Sequence, residues 1–347
     1  MLTTAELKEK LSAFLTEEQM LQDAPMKNHV SFRAGGAAAL LLLPKSSAEL
    51  RSALQTCKAA GWPVFVMGNG SNLLVTDAGY PGAIIKIGST MGRCRVGGDS
   101  EWAAPGAPAV PAGASDCLPA GTIRAEAGIL LSTLAARALD AGLTGLEFAS
   151  GIPGSLGGGL FMNAGAYGGE LKDIVTWVRV MDPETGEEKV LSGEEMAFGY
   201  RTSRLQKTGE IVLEAQLQLQ PGDKEAISAR MKELTAQRVA KQPLQYPSAG
   251  SFFKRPEGHF AGALIEQAGL KGLALGGARI SPLHAGFMVN EGGATATEII
   301  QLMHVAQAVV FEMFGVKLEP EVRFLGALPG ENAAAVLSAE AVPGGAR

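Results

Sequence analysis

Two glycine-rich runs carry the first chemistry legible in this sequence. Gly68-Asn69-Gly70-Ser71-Asn72 directly follows the apolar run Val64-Phe65-Val66-Met67. A longer run starts at Gly151-Ile152-Pro153-Gly154-Ser155-Leu156-Gly157-Gly158-Gly159. It continues through Met162-Asn163-Ala164-Gly165-Ala166-Tyr167-Gly168-Gly169-Glu170. Ordered glycine costs conformational entropy, so a folded chain uses it where backbone turns sharply or meets a ligand closely. The longer run, small and apolar with almost no charge, suits neither a linker nor a helix. Two such turns with exposed backbone N–H groups can cradle a pyrophosphate, which points to a nucleotide-cofactor enzyme.

Three further places hold reactive side chains. Gly199-Tyr200-Arg201-Thr202-Ser203 stands shortly before a strand pattern, where Arg201 could face a cleft. Ser248-Ala249-Gly250-Ser251-Phe252-Phe253-Lys254 sets a serine between a glycine and an aromatic pair, without the G-x-S-x-G of a nucleophile elbow. Leu318-Glu319-Pro320-Glu321-Val322-Arg323 places two carboxylates around a proline. Taken singly, each reads first as a surface ion-pair residue, a structural hydroxyl or a solvated charge. Spacing alone does not join them into one site.

The elements that must position these residues follow from periodicity. Thr3 with Glu6 reads as a capping box opening a helix with Leu7, Leu11 and Leu15 on one face. Ser46 to Ala60 predicts a helix stopped near Gly61, followed by a buried strand at Val64–Met67. The apolar Leu73-Leu74-Val75 and Ala83-Ile84-Ile85-Lys86-Ile87 continue the β pattern. A glycine turn leading back into strand is not the dinucleotide fingerprint, which requires a helix at its third glycine. Ser132 to Ala141 predicts a helix ending at Gly142. Beyond the long glycine run, Ile174, Thr176, Val178 and Val180 share one strand face, with Val175, Trp177 and Arg179 on the other. Asp182 to Gly186 predicts a turn, and Ile211, Leu213, Ala215, Leu217 and Leu219 line another strand. Asp223 to Lys241 is an amphipathic helix. Thr295 and Glu298 cap a last helix, with Ile299, Leu302, Met303, Ala306, Val309, Val310 and Met313 in one stripe ending at Gly315. Residues 97–121, rich in Gly, Pro and Ala, predict a surface excursion. The tail 327–347 predicts disorder.

Composition bounds the function. The 347 residues suffice for two or three domains, and 46% apolar with 19% charged residues is ordinary for a globular chain. The net charge of −5 argues against nucleic acid as a partner. No apolar run has membrane-spanning length, and no secretory signal is visible, so a soluble cytoplasmic enzyme with no membrane partner is expected. Cys57, Cys94 and Cys117 lack metal spacing and a disulfide count, so no metal is expected.

Several segments, taken in order, resemble the UDP-N-acetylenolpyruvoylglucosamine reductase family (UDP-N-acetylmuramate dehydrogenases). They are Ser31-Phe32-Arg33-Ala34-Gly35-Gly36, Gly68–Val75, Leu146–Ser155, Met162–Gly168, Gly199-Tyr200-Arg201, Ala249–Lys254, Gly269-Leu270-Lys271-Gly272 and Leu318–Val322. The resemblance runs from Asn28 to about Gly326. It implies an α+β fold: a two-lobed FAD-binding domain of the vanillyl-alcohol-oxidase type plus a C-terminal α+β substrate domain. The implied organisation is an N-terminal helix over 1–22, lobes over 23–92 and 93–220, a substrate domain over 221–326 and the tail.

The family implies FAD as cofactor, NADPH as reductant and the enolpyruvyl ether of UDP-N-acetylglucosamine as substrate. Cofactor contacts carry over to Arg33, Gly68, Asn69, Gly70, Ser71, Asn72, Gly128, Gly151, Ile152, Pro153, Gly154, Ser155, Gly158, Asn163, Ala164 and Gly165. Ser251 resembles the proton donor, and Arg201 with Glu321 the pair that grips and polarises the substrate carboxylate. Tyr200, Lys254, Arg255 and His284 are substrate-binding candidates; Phe252 and Phe253 are expected to support Ser251 from behind. Where many members read Lys-Asn-Pro, this chain has Lys254-Arg255-Pro256, a cation available to a diphosphate. The helix Phe260–Gly269 or the loop Gly276–His284 is expected to close over substrate. A non-catalytic FAD or UDP-sugar binder, and an FAD oxidase of the same superfold, are the rival readings. Neither glycine run carries the His or Cys that covalent flavin attachment would use.

Overall fold

The computed structural model describes residues 2–97 and 118–327. Residues 98–117 of the expected excursion and 328–347 of the expected tail lie outside that range.

The N-terminal helix Thr4–Leu11 is capped as its sequence predicts. The Thr3 hydroxyl accepts from the Glu6 N–H while the Glu6 carboxylate accepts from the Thr3 N–H. Leu7 and Leu11 are fully buried. The helix Ser47–Ala59 starts at the Ser46 side-chain cap, and Gly61 follows at φ 69°. Beneath them lies a four-stranded sheet in the order Met20–Pro25, Ala37–Leu42, Tyr80–Lys86, Val64–Met67. The first pair is antiparallel and the others are parallel. Alternation splits its side chains between two cores. Leu40, Leu42, Ala83 and Ile85 join the N-terminal helices and the second lobe. Leu41 and Ile84 join the C-terminal half of the chain. Val64–Val66 are half-buried rather than buried, because this edge strand borders a cavity.

The second lobe is a five-stranded antiparallel sheet, ordered Glu188–Ser192, Val175–Met181, Ile211–Gln218, Thr122–Glu126, Cys94–Val96. Val178, Val180, Ala215 and Leu217 bury one face against the helix Leu131–Asp140, which stops before Gly142. Ile174 falls just before its strand, and Thr176 is exposed. On the opposite face Arg179 is buried because Glu214 meets its Nη2 at 2.8 Å. The long glycine run corrects the expectation from propensity: Leu156–Met162, including Gly157, Gly158 and Gly159, is a helix. Close packing overrides propensity here, since a Cβ on Gly157 would meet the Ala127 Cβ at 3.0 Å and one on Gly159 the Leu171 Cδ1 at 2.9 Å.

The C-terminal half carries the long helix Lys224–Lys241 and an antiparallel sheet ordered Ser248–Ser251, Phe287–Asn290, Ala278–Ile280, Ala274–Leu275. The helices Ala261–Gln267 and Ala296–Phe314 pack on it. The predicted stripe of the last helix is buried from Ile299 to Val310, but Val309 is half-buried and Met313 is 54% exposed. Nineteen helical residues span roughly 28 Å, more than strands of two to four residues can cover. Several links return this half to the first lobe, among them a helix cap and a strand pair. The Asp77 carboxylate accepts from the Ala296 and Thr297 N–H groups at 2.8 Å each. The strand Arg323–Leu325 pairs in parallel with Leu73–Val75. No helix among the described residues is long and apolar enough to cross a membrane.

Candidate active site

The turn Gly68–Asn72 lies between the edge strand Val64–Met67 and Leu73–Val75. It is pinned on three sides. The Asn69 amide donates to the Pro153 carbonyl at 2.9 Å, joining the two glycine runs. Ser31 donates its backbone N–H to the Gly70 carbonyl and its hydroxyl to the Ser248 carbonyl. The Asn72 amide donates to the Glu321 carbonyl at 3.0 Å. Gly70, at φ 70°, allows no side chain, since a Cβ would stand 2.5 Å from the His29 carbonyl oxygen.

Two cavities meet along Ser71, Asn72, Gly158 and Met162. The smaller, about 370 Å³, runs between Phe65–Leu73 on one side and Ser155, Gly157, Gly158 and Phe161 on the other. The Ser155 hydroxyl is buried there without a hydrogen-bond partner. A buried hydroxyl without a partner is costly unless a ligand completes it. Gly68 has no room for a side chain, because a Cβ would lie 2.4 Å from that hydroxyl. An orphaned donor facing glycine backbone fits a phosphate-bearing cofactor.

The larger cavity, about 700 Å³, brings together the three segments that spacing could not join: Arg201, Ser251 and Glu321 all line it. The zipper between Phe252–Lys254 and Glu319–Val322 sets this up. The Glu321 N–H donates to the Phe252 carbonyl at 2.8 Å, and the Lys254 N–H to the Glu319 carbonyl at 2.8 Å. Phe252 and Phe253 are buried behind the exposed Ser251 and touch edge to face. Arg201 is held in the left-handed region at φ 54°, a conformation that non-glycine residues adopt at a cost. Its Nε donates to Glu321 Oε1 at 2.9 Å and its Nη2 to the Gly165 carbonyl at 3.1 Å. Burial raises the Glu321 pKa above the ordinary carboxylate range, against the opposing pull of Arg201. The site thus offers a fixed guanidinium, a carboxyl whose pKa burial raises and a hydroxyl on one wall.

The other predicted residues divide. Ile152, Pro153, Gly154, Ala164, Gly165, Tyr200, Arg255 and His284 line the larger cavity, and Asn69 and Gly70 the smaller. Arg255 lays its guanidinium carbon 4.0 Å from the Phe260 ring centre, and its backbone N–H donates to the Tyr200 hydroxyl at 3.3 Å. His284 is kept below its usual pKa by burial, and the Gly286 N–H donated to Nδ1 leaves the ring proton on Nε2. Lys254 lies outside the cavity lining and pairs with Glu319 at 3.1 Å. Arg33 is exposed and borders neither cavity.

Gly128 packs against the Gly88 carbonyl, and Gly151 against Arg238; neither lines either of these two cavities. Asn163 is fully buried and its amide is engaged by the protein: Nδ2 donates to Glu170 and the Gly199 carbonyl, and Oδ1 accepts from Lys172. It shapes the approach to Tyr200-Arg201 from behind. The helix Ala261–Gln267 borders the cavity through Ala261, Gly262, Ala263 and Glu266. Of the loop Gly276–His284 only Leu283 and His284 do. Arg238 and Lys241 also line it, unpredicted, on the inward side of the helix Lys224–Lys241.

Known proteins match this arrangement. Residues 242–325 match the model of the UDP-N-acetylenolpyruvoylglucosamine reductase C-terminal domain, and residues 38–192 that of an FAD binding domain. The UDP-N-acetylenolpyruvoylglucosamine reductase of Alkaliphilus oremlandii is 44% identical over 316 residues, covering 91% of this chain and 96% of the relative. That of Agathobacter rectalis is 48% identical over 307 residues, covering 88% and 94%. The crystal structure of the Thermus caldophilus reductase superposes with a TM-score of 0.67 at 35% identity, covering 88% of this chain and 98% of that one. The two-lobed α+β architecture, the cofactor cradle and these matches converge: the chain is an FAD-dependent oxidoreductase and belongs to the UDP-N-acetylenolpyruvoylglucosamine reductase family.

Proposed function

We propose that this chain catalyses, in the cytoplasm, the NADPH-dependent reduction of UDP-N-acetylglucosamine enolpyruvate to UDP-N-acetylmuramate, a step of peptidoglycan precursor synthesis. The supporting observation is the convergence of Arg201, Ser251 and Glu321 on one cavity that continues into the cradle between Gly68–Asn72 and Ser155–Gly158. Those two segments would hold FAD, with Ser155 completing its hydrogen bond on a phosphate. When bound there and reduced by NADPH, FAD would supply the hydride for the substrate's methylene carbon.

The protein's own task is to manage the negative charge that hydride addition leaves beside the substrate carboxylate. Arg201 suits this because its planar fork grips a carboxylate bidentately and stays charged. An ionised Glu321 there would repel the developing charge, so we assign it as the neutral acid, donating a hydrogen bond instead. Its burial favours that form. Ser251 delivers the proton to the α-carbon. A serine hydroxyl is a weak acid, so the transfer works only toward a strongly basic carbon and with the hydroxyl polarised by the site. Tyr200, Arg255 and His284 border the space left for the nucleotide sugar, Arg255 offering a cation to its diphosphate.

The test is anaerobic. NADPH should bleach the flavin of the purified protein, and the UDP-linked enolpyruvyl sugar should restore the oxidised band while UDP-N-acetylmuramate forms. Ser251→Ala should still be bleached by NADPH but reoxidise about 10²- to 10⁴-fold more slowly. A flavin that the sugar does not reoxidise would overturn the substrate assignment. Equal rates in the wild type and Ser251→Ala would overturn the role given to Ser251.

A further inference from the structure

Gln206 is a residue that no sequence pattern singles out, yet it holds the backbone that carries Arg201. Tyr200 and Arg201 form the tip of a tight turn. The Gly199 N–H donates to the Thr202 carbonyl at 3.0 Å, and the Thr202 N–H to the Gly199 carbonyl at 3.3 Å. At that tip Arg201 keeps φ 54°, a left-handed conformation that an L-residue retains only where its surroundings impose it.

Three side chains tie this turn to the end of the helix Leu156–Met162. The Asn163 amide donates to the Gly199 carbonyl at 2.9 Å, and the Ser203 hydroxyl to the Phe161 carbonyl at 2.8 Å. Gln206 Nε2 donates to the Phe161 and Arg201 carbonyls, at 3.0 Å each. Carbonyls in the last turn of a helix have no partner within it, so Phe161 is a ready anchor. An amide nitrogen carries two protons, and these two carbonyls use both. The two acceptors are unequal. Phe161 would keep Ser203 if Gln206 were lost, whereas among the described residues no other donor reaches the Arg201 carbonyl. Gln206 therefore fixes the peptide that follows Arg201. The side chain inherits that orientation, with Nε on Glu321 and Nη2 on the Gly165 carbonyl.

We propose that Gln206 is a positioning residue for the reaction: its amide clamps the Arg201 carbonyl to the helix Leu156–Met162 and so holds the guanidinium where it meets the substrate carboxylate. This rests on the role given to Arg201 above. Gln206 acts through Arg201 and donates nothing to the substrate. It also borders the smaller cavity, so the test separates this role from one on the cofactor.

Two variants of the FAD-loaded protein are followed anaerobically through the two half-reactions. Gln206→Met keeps the length of the side chain and removes both donors; Gln206→Lys restores an N–H donor at similar reach. In Gln206→Met, NADPH should bleach the flavin at the wild-type rate, and FAD titrated into the apoprotein should bind as to the wild type. Reoxidation by saturating UDP-linked enolpyruvyl sugar should slow by about 10- to 100-fold, the cost of a displaced binding group, with KM moving less than kcat. Gln206→Lys should recover most of that loss. Wild-type reoxidation in Gln206→Met would overturn the proposal. So would equal slowing of both half-reactions or weaker FAD binding, either of which would place the amide with the cofactor. Reoxidation no faster in Gln206→Lys than in Gln206→Met would overturn it as well. A wild-type protein whose bleached flavin the sugar does not reoxidise would instead fail the reading of the reaction, and the proposal with it.

Discussion

At the scale of residues, the Arg201–Glu321 pair is the most informative feature. A buried carboxyl beside a guanidinium faces two opposed effects: burial favours the neutral acid, and the arginine favours the anion. Here burial dominates and the Glu321 pKa is raised. If the neutral acid is the working form, the sign follows directly. Activity is present below the raised pKa and falls as pH rises through it. Glu321→Gln removes that titration while keeping a neutral hydrogen-bond donor. The variant should therefore retain measurable turnover, reduced about 10- to 100-fold, and its pH–rate profile should lose the alkaline limb that Glu321 gives the wild type. Loss of all activity at every pH would show that more than a neutral donor is required. The sequence made Arg201, Ser251 and Glu321 visible as residue types, but their meeting depends on a backbone zipper between Phe252 and Glu321 that no local pattern encodes.

At the scale of elements, capping chemistry and periodicity carried most of the fold. The boxes at Thr3/Glu6 and Thr295/Glu298 and the stop at Gly142 stand where local rules put them. A register shift near Leu213, by contrast, interrupts the expected alternation of Ile211–Gln218, whose first five residues are all buried. The helix Leu156–Met162 also departs from local rules, since three consecutive glycines oppose helix formation by propensity. Its stability comes from the close approach of its neighbours, a tertiary effect. The three glycines are not equivalent, and this is testable. A methyl group on Gly159 would press on Leu171 and Leu131, both fully buried. Gly159→Ala should cost about 1–3 kcal/mol of stability through overpacking. A methyl on Gly158 would meet only the Ser155 hydroxyl, at 3.7 Å, and would otherwise point into the two cavities. Gly158→Ala should thus stabilise the apoprotein by about 0.5–1 kcal/mol while weakening FAD binding. Thermal melts of both variants, with and without FAD, separate the two roles. Equal melting temperatures for both apoproteins would overturn the distinction.

At the scale of the whole molecule, the chain divides less cleanly than its sequence organisation implies. Leu41 and Ile84 of the first lobe share one core with Phe252, Phe253, Ile299 and Met303 of the C-terminal half. Among the described residues, the strand Arg323–Leu325 finds its only partner strand in Leu73–Val75. Asp77 caps the long C-terminal helix from the first lobe, and Asn290 reaches back to the Phe32 and Arg33 carbonyls. The hydrogen bonds and the strand pair join residues more than 200 positions apart, a separation at which neither local pattern nor the organisation implied by the resemblance shows the shared core. Residues 221–326 expressed alone would expose Phe252, Leu264, Ile299 and Met303, leave Arg323–Leu325 without a ladder and strip the cap from Ala296. Such a fragment should show no cooperative thermal transition by circular dichroism and should bind the dye ANS, as loosely packed chains do. A sharp melt with native-like near-ultraviolet signal would show that the C-terminal half folds independently. The site could then tolerate relative motion of the two halves. A shared core instead ties the wall carrying Ser251 and Glu321 to the turn Gly68–Asn72, so the proposed proton donor and the proposed cofactor cradle would keep a fixed separation throughout turnover.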